Sequence, residues 1–116
     1  MNAVKRLRKE AQAANDDYIK LVVSPDNIYK WKALLKAPPD SAYEGFVFVL
    51  NINVPESYPL VPPVITFATR IFHPNVLFGT GEICLDILKK EWSPAWSLQS
   101  AIRAISTLMA DPAADR

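Results

Sequence analysis

The sequence contains one cysteine and one histidine among its 116 residues. Because a single cysteine cannot form an intramolecular disulfide, the chain is not a disulfide-stabilised scaffold, and a reducing compartment is expected. Metal-ligand spacing and a glycine-rich phosphate-binding loop are both absent from the sequence. We therefore predict no metal, no bound nucleotide and no other cofactor.

The sequence also lacks an excess of charge and a long hydrophobic run. Lys and Arg number 13 against 12 Asp and Glu, which leaves a formal net charge of +1. No global field therefore indicates a nucleic acid or an anionic membrane surface as a partner. The longest apolar run, Phe46 to Leu50, is far shorter than the about 20 residues that a membrane-spanning helix needs. We expect no secretory signal, no membrane insertion and a cytoplasmic protein.

Glycine is scarce as well, with three glycines against ten prolines. Proline fixes φ and cannot donate a backbone hydrogen bond, so this imbalance predicts long, stiffened connections between elements. Half of the residues are hydrophobic. A chain of this length and composition is expected to form one domain, 1–116, around one hydrophobic core.

A first helix is predicted over residues 3 to about 15. Its apolar stripe is formed by residues spaced three and four apart, namely Val4, Leu7, Ala11 and Ala14. Basic residues crowd the first turns, where the helix dipole disfavours positive charge. This basic face is either a solvated surface or a docking surface for an acidic partner.

Four strands follow, and the sequence predicts them over residues 18–23, 29–36, 46–54 and 64–67. In the second strand, Lys30, Lys32 and Lys36 alternate with apolar residues, which is typical of a half-buried antiparallel strand. In the third strand, the predicted buried face comprises Phe46, Phe48, Leu50 and Ile52. Sequential strands with short turns predict an antiparallel meander and an α+β fold.

About thirty residues after the fourth strand carry no strand signal, and a loop of that length in a small domain is usually functional. A second, long helix is then predicted, with Ser97 as its N-cap and an end at Asp111–Pro112. Its buried face is predicted to comprise Leu98, Ile102, Ile105, Leu108 and Met109. The chain ends soon afterwards, which we interpret as a truncated domain.

The long loop holds the residues that could carry chemistry. Cys84 follows a glycine-containing turn, which favours a nucleophile at the rim of the core over the commoner buried small hydrophobe. His73 suggests a Cys-His dyad, but no orienting third group is apparent. We therefore favour a structural imidazole that is hydrogen-bonded to backbone and holds the turn at Pro74.

Two polar side chains near Cys84 have alternative interpretations. Asn75 either donates an amide proton to a developing oxyanion or ties down the loop backbone. Asp86 either steers an incoming amine or caps a short helical turn. Trp92 and Trp96 are interpreted as core or lid residues that bury the loop.

The whole chain resembles the catalytic core of the ubiquitin-conjugating enzymes. The residues that carry the resemblance are Tyr58-Pro59 with Pro62-Pro63, His73-Pro74-Asn75, Gly81-Glu82-Ile83-Cys84-Leu85-Asp86-Ile87-Leu88, and Trp92-Ser93-Pro94-Ala95. The resemblance implies a UBC-like fold in which Cys84 accepts ubiquitin, or a related modifier, as a thioester from an activating enzyme. The acyl group then passes to a lysine of a protein substrate, with a RING-type ligase holding both partners.

The resemblance also implies roles for single residues. Cys84, Asn75 and Asp86 match catalytic positions, whereas His73 and Pro74 match structural ones. The family's ligase-binding loops correspond here to Leu60, Pro94 and Ala95, and its activating-enzyme surface corresponds to Lys5, Arg6 and Lys9.

Departures from the family pattern refine this expectation. Phe46 replaces a common glycine, and the loop from Asn75 to Cys84 is one residue longer than the commonest spacing. The longer loop is similar to that of the peroxisomal branch, which monoubiquitinates import receptors and acts at the cytosolic face of peroxisomes. The family's last two helices are absent.

Two other functions remain as alternatives: a non-catalytic ubiquitin-conjugating-like binding module and a cysteine hydrolase that uses His73.

Overall fold

The computed structural model describes residues 3–13 and 15–111. In that part of the chain, helix α1 (Ala3–Ala11) precedes a sheet and helix α2 (Leu98–Ala110) follows it. The strands are β1 (Ile19–Ser24), β2 (Asn27–Lys36), β3 (Val47–Asn53) and β4 (Val64–Phe67). A 3₁₀ helix, Asp86–Leu88, lies in the connection between β4 and α2.

The four strands form one sheet in the order β1-β2-β3-β4, and each pair of neighbours is antiparallel. In the register of the sheet, Trp31 of β2 lies between Val23 of β1 and Ile52 of β3. The predicted antiparallel meander and the α+β class are therefore confirmed.

The alternation of β2 decides which face of the sheet packs against the helices. Trp31 and Leu35 are buried, whereas Lys30, Lys32 and Lys36 are exposed. Successive side chains of a strand point to opposite faces, so the period of two in the sequence translates directly into a buried and a solvated face. The prediction for this strand is confirmed.

Helix α2 closes the core from the other side with its predicted apolar face. All of the predicted core positions are buried, together with Ala101: Leu98, Ile102, Ile105, Leu108 and Met109. Ser97 is the N-cap, and its hydroxyl accepts a hydrogen bond from the Ser100 backbone N–H at 3.1 Å. The Ser100 hydroxyl accepts one in return from the Ser97 N–H at 2.6 Å. Such reciprocal capping contributes about 1 kcal/mol to helix stability.

Helix α1 is shorter than predicted, and its buried face differs. It ends at Ala11, and its buried residues are Ala3 and Leu7. Val4 is half-buried and Ala11 is exposed, while Ala14 lies outside the described residues. A helix of nine residues makes about two and a half turns. Ala3 and Leu7 lie four residues apart on the same face of this helix, and they pack it against the core.

The prediction that Phe46 lies on the buried face of the third strand is wrong. The pairing of β2 with β3 ends at Lys36 and Val47, so Phe46 lies beyond the end of the sheet. Its side chain is 63% exposed. Gly45 immediately before it has a φ of +93°, which turns the chain before the strand begins.

The connection after β4 folds back onto that strand at Gly81. The Phe67 backbone N–H donates a hydrogen bond to the Gly81 carbonyl at 2.9 Å. Gly81 has a φ of +75°, and a Cβ placed on it would lie 2.1 Å from the Phe67 carbonyl oxygen. Both the backbone conformation and the close approach therefore require glycine here.

Replacing Gly81 by alanine is expected to lower the free energy of unfolding by roughly 2 kcal/mol or more. The cost of a left-handed backbone conformation for alanine adds to the clash of its Cβ with the Phe67 backbone. Equilibrium urea unfolding measures the change.

Gly79→Ala is the matched control, because its added Cβ would meet nothing within 4 Å. We expect its stability to stay close to that of the unchanged protein. Equal losses in both variants would contradict the contact between Gly81 and Phe67.

Candidate active site

Cys84 lies on an exposed position between two buried ones. Ile83 is 2% exposed and Leu85 6%, while the thiol of Cys84 is exposed and free. The Cys84 backbone N–H donates to the Asn75 carbonyl at 2.7 Å, which fixes the segment against the opposite arm of the loop. The prediction of an accessible sulfur at the rim of the core is confirmed, and the alternative of a buried small hydrophobe is wrong.

The two arms of this loop pair like a short hairpin. Val76 and Ile83 form an antiparallel bridge, and the Leu77 N–H donates to the Glu82 carbonyl at 2.9 Å. The buried side chains of Val76 and Ile83 anchor the hairpin to the core. Although the segment is a loop, its backbone is therefore held as firmly as a sheet edge, which suits a reactive group that must stay in place.

His73 uses both ring nitrogens to hold this loop. Its Nδ1 accepts a hydrogen bond from the Asn75 backbone N–H at 3.0 Å, so Nε2 carries the proton and donates to the Leu108 carbonyl at 2.9 Å. The side chain is buried, and it links the loop to helix α2. Both nitrogens thus have partners other than Cys84, which supports the structural interpretation over the Cys-His dyad. Pro74, next to it, is exposed at the turn.

Asn75 is fixed by its backbone on both sides. Its N–H donates to the His73 ring, and its carbonyl accepts from Cys84. In the part of the chain that the structure describes, its half-buried side-chain amide makes no hydrogen bond. The loop therefore places an uncommitted amide beside the residue that carries the thiol.

Asp86 begins the 3₁₀ helix instead of capping it. The N-cap is Leu85, which makes no side-chain cap hydrogen bond, so the capping interpretation of Asp86 is wrong. The Asp86 carboxylate lies 3.9 Å from the Lys90 ammonium group, with the Lys90 side chain 75% exposed and that of Asp86 46%. An exposed pair of this kind contributes little to stability. A carboxylate thus lies at the surface two residues beyond the thiol.

The two predicted ligase-binding loops meet through Trp92. Its indole N–H donates to the Pro59 carbonyl at 2.9 Å, and its ring packs against the core. Leu60 is 76% exposed next to this contact, and Pro94 and Ala95 are exposed in the second loop. The structure therefore brings these three residues to the surface on two joined loops. Trp96 is 39% exposed, so the prediction that it buries the loop is wrong.

The basic face of α1 divides into two parts. Lys5 and Lys9 are exposed, but the side chain of Arg6 is only 18% exposed and pairs with Glu10 at 2.9 Å. Arg6 also donates to the carbonyls of Pro94 and Trp96. Glu10 was not predicted as a site residue, because its only signal in the sequence is its spacing of four residues from Arg6.

Neither a metal-binding cluster nor a membrane-spanning helix occurs in the described part of the chain. Among residues 3–13 and 15–111, no group of three or more His, Cys, Asp or Glu side chains could hold a metal ion. The helices of that same part are too short and too polar for any of them to cross a membrane.

A family model for the ubiquitin-conjugating enzyme matches residues 4–116 of the chain. The chain therefore belongs to the ubiquitin-conjugating enzyme family, a family of transferases. This agrees with an exposed cysteine beside a His-Pro-Asn turn.

Relatives within the family include Protein PEROXIN-4 of Arabidopsis thaliana, 57% identical over 96% of this chain and 69% of that protein. Ubiquitin-conjugating enzyme E2 pex4 of Dictyostelium discoideum is 47% identical over 95% of this chain and 76% of that protein. These relatives confirm the resemblance to the peroxisomal branch.

Solved structures confirm the UBC fold. An E2 domain of a Toxoplasma gondii ubiquitin-conjugating enzyme superimposes with a TM-score of 0.88 and 39% identity, covering 93% of this chain and 74% of that one. Pex4p of H. polymorpha, solved in complex with the soluble domain of Pex22p, gives a TM-score of 0.85 and 35% identity. That match covers 94% of this chain and 79% of Pex4p.

His73→Ala is expected to lower the free energy of unfolding by about 2 to 4 kcal/mol, because it removes two buried hydrogen bonds and leaves a cavity. Urea unfolding measures the loss. Alkylation of Cys84 by iodoacetamide, normalised to the folded fraction, should keep its rate and its pH profile. A folded variant whose alkylation is slowed at neutral pH would instead make the imidazole the base of a dyad.

Proposed function

We propose that Cys84 accepts the carboxyl end of ubiquitin, or of a related modifier, as a thioester and then transfers it to a lysine of a protein substrate. The observation that carries this proposal is the exposed thiol on a hairpin whose backbone is hydrogen-bonded to Asn75. Membership of the ubiquitin-conjugating enzyme family supports it further.

The first step is a thiol–thioester exchange. The sulfur of Cys84 attacks the ubiquitin carbonyl carried by the activating enzyme, a new C–S bond forms, and the activating enzyme's thiol leaves with the proton. In the second step a lysine amine attacks the same carbonyl. The tetrahedral intermediate collapses to an isopeptide bond, and the thiol of Cys84 is released.

This chemistry asks for positioning more than for a strong base, because a thioester is already an activated acyl group. The amide of Asn75 is proposed to donate to the oxyanion of the tetrahedral intermediate. The carboxylate of Asp86 is proposed to attract and orient the lysine ammonium group before it loses its proton. The firm attachment of His73 to α2 supports both roles, since it holds the turn from which Asn75 projects.

Two surfaces are proposed for the protein partners. A RING-type ligase would bind the exposed residues of the two joined loops, Leu60, Pro94 and Ala95. The activating enzyme would bind the basic face of α1, where Lys5 and Lys9 are exposed and Arg6 lies behind them. Opposite charge on the activating enzyme would steer that encounter.

The peroxisomal branch offers a more specific setting. Relatives named peroxin-4 and pex4 support action on the cytosolic face of peroxisomes. The solved complex of Pex4p with the soluble domain of Pex22p suggests a partner of the same kind for this chain. Import receptors are then the proposed substrates.

The direct test is incubation with activating enzyme, ATP and ubiquitin, followed by electrophoresis with and without thiol reductant. We expect one conjugate that the reductant removes, and none in Cys84→Ala. A Cys84→Ser variant should trap an ester that the reductant leaves intact. A folded protein that forms no conjugate would overturn the proposal and favour the non-catalytic binding module.

Asn75→Ala separates the two steps. Loading of Cys84 should remain within about twofold of the unchanged protein, whereas discharge to free lysine should slow by about 100-fold, the usual cost of an oxyanion donor. Single-turnover discharge after the activating enzyme is quenched gives both rates. Equal losses of loading and discharge would refute the oxyanion role.

A further inference from the structure

We infer that the Arg6–Glu10 pair of helix α1 is a positioning unit that holds the two ligase-facing loops in a fixed relation to each other. The first loop carries Leu60, and the second carries Pro94 and Ala95. This inference rests on the proposed function, because it assigns a consequence for ligase-stimulated transfer to a pair remote from Cys84.

Glu10 is the centre of the unit. Its carboxylate accepts hydrogen bonds from Arg6 Nε at 2.9 Å, from the Tyr58 hydroxyl at 2.6 Å and from the Leu98 backbone N–H at 2.8 Å. The Glu10 side chain is 10% exposed. One carboxylate thus connects α1 to Tyr58, two residues before Leu60, and to the first turn of α2.

Arg6 extends the same unit to the second loop. Its terminal nitrogens donate to the Pro94 carbonyl at 3.1 Å and to the Trp96 carbonyl at 2.6 Å. The guanidinium group also lies 5.6 Å from the centre of the Tyr58 ring, within the range of a cation–π contact. The planar guanidinium fork therefore fixes the backbone on both sides of Ala95.

The protonation state of Tyr58 suits this arrangement. Burial, followed by the hydrogen bond to Glu10, raises the pKa of Tyr58, so its hydroxyl keeps the proton that it donates. Trp92 connects the second loop to the first, since its indole N–H donates a hydrogen bond to the Pro59 carbonyl. Both loops are thus tied to one ion pair on α1 and to each other.

The arrangement gives Arg6 a role that differs from that of its basic neighbours. An acidic partner that took its guanidinium group would have to break the contacts that hold the second loop. The exposed side chain of Lys9 can meet such a partner without disturbing those contacts. Within the basic face, the lysines thus bind the partner, whereas Arg6 positions the second loop.

Glu10→Gln tests the unit, since the amide retains the shape of the side chain but cannot accept all three hydrogen bonds. Arg103→Met is the matched control, because Arg103 also pairs with a carboxylate, that of Asp16, at 2.9 Å, but away from both loops. Proton–nitrogen NMR spectra of both variants should show shifted signals for Leu60, Ala95 and the Trp92 indole only in Glu10→Gln. Shifts confined to α1 and the start of α2 would overturn the inference.

The functional readout uses the isolated RING domain that most accelerates ubiquitin discharge from the unchanged protein. Glu10→Gln should load ubiquitin and discharge it without the RING domain at unchanged rates, while RING-stimulated discharge falls about tenfold or more. A general loss of structure would lower all three rates together and would contradict a positioning role.

A double-mutant cycle with Leu60→Ala completes the test. If Glu10 acts through the loops, Glu10→Gln should have little further effect on RING-stimulated discharge once Leu60 has been truncated. Fully additive effects would overturn the inference. Failure of the unchanged protein to form a thioester would refute the proposed function instead, and the NMR comparison would still decide whether the unit holds the loops.

Discussion

The backbone hydrogen bond from Cys84 to Asn75 is the constraint on which the rest of the site depends. It closes a hairpin whose buried residues, Val76 and Ile83, are part of the core, so an exposed sulfur is held by a rigid frame. His73 then attaches the turn of that hairpin to α2. The acyl transfer proposed for this site would gain rate mainly from such positioning, since misplacement by about 1 Å can cost two orders of magnitude.

Charged side chains connect separate elements of this protein where Arg6 meets Glu10. With a net charge of +1 the chain has no strong overall field, and its Arg6–Glu10 ion pair is partly buried. Even partial burial of an ion pair carries a desolvation cost, which further hydrogen bonds to both groups help to offset. Here those hydrogen bonds are made with Tyr58, Leu98 and the second loop. The contacts that offset the desolvation of the pair therefore also connect α1 to that surface loop.

Predictions from the sequence were correct where the signal was periodic or carried by a motif. The alternating lysines of β2 and the apolar face of α2 gave the right burial, because period two and period 3.6 map directly onto faces. They failed at the ends of elements. Phe46 fits the apolar alternation of β3 but lies one residue beyond its pairing with β2. Trp96 lies in the connection before α2, where Arg6 binds its carbonyl and its side chain stays 39% exposed.

Local patterns and motifs with fixed spacing were sufficient to identify the family, the single candidate cysteine and the order of helices and strands. The contacts of Glu10 are seen only in the folded chain, because its partners Tyr58 and Leu98 lie 48 and 88 residues away along the sequence. It also decided that His73 is committed to Asn75 and Leu108. The residue type defines which chemistry a side chain can perform. Its partners depend on tertiary packing, which brings together residues that no local sequence pattern connects.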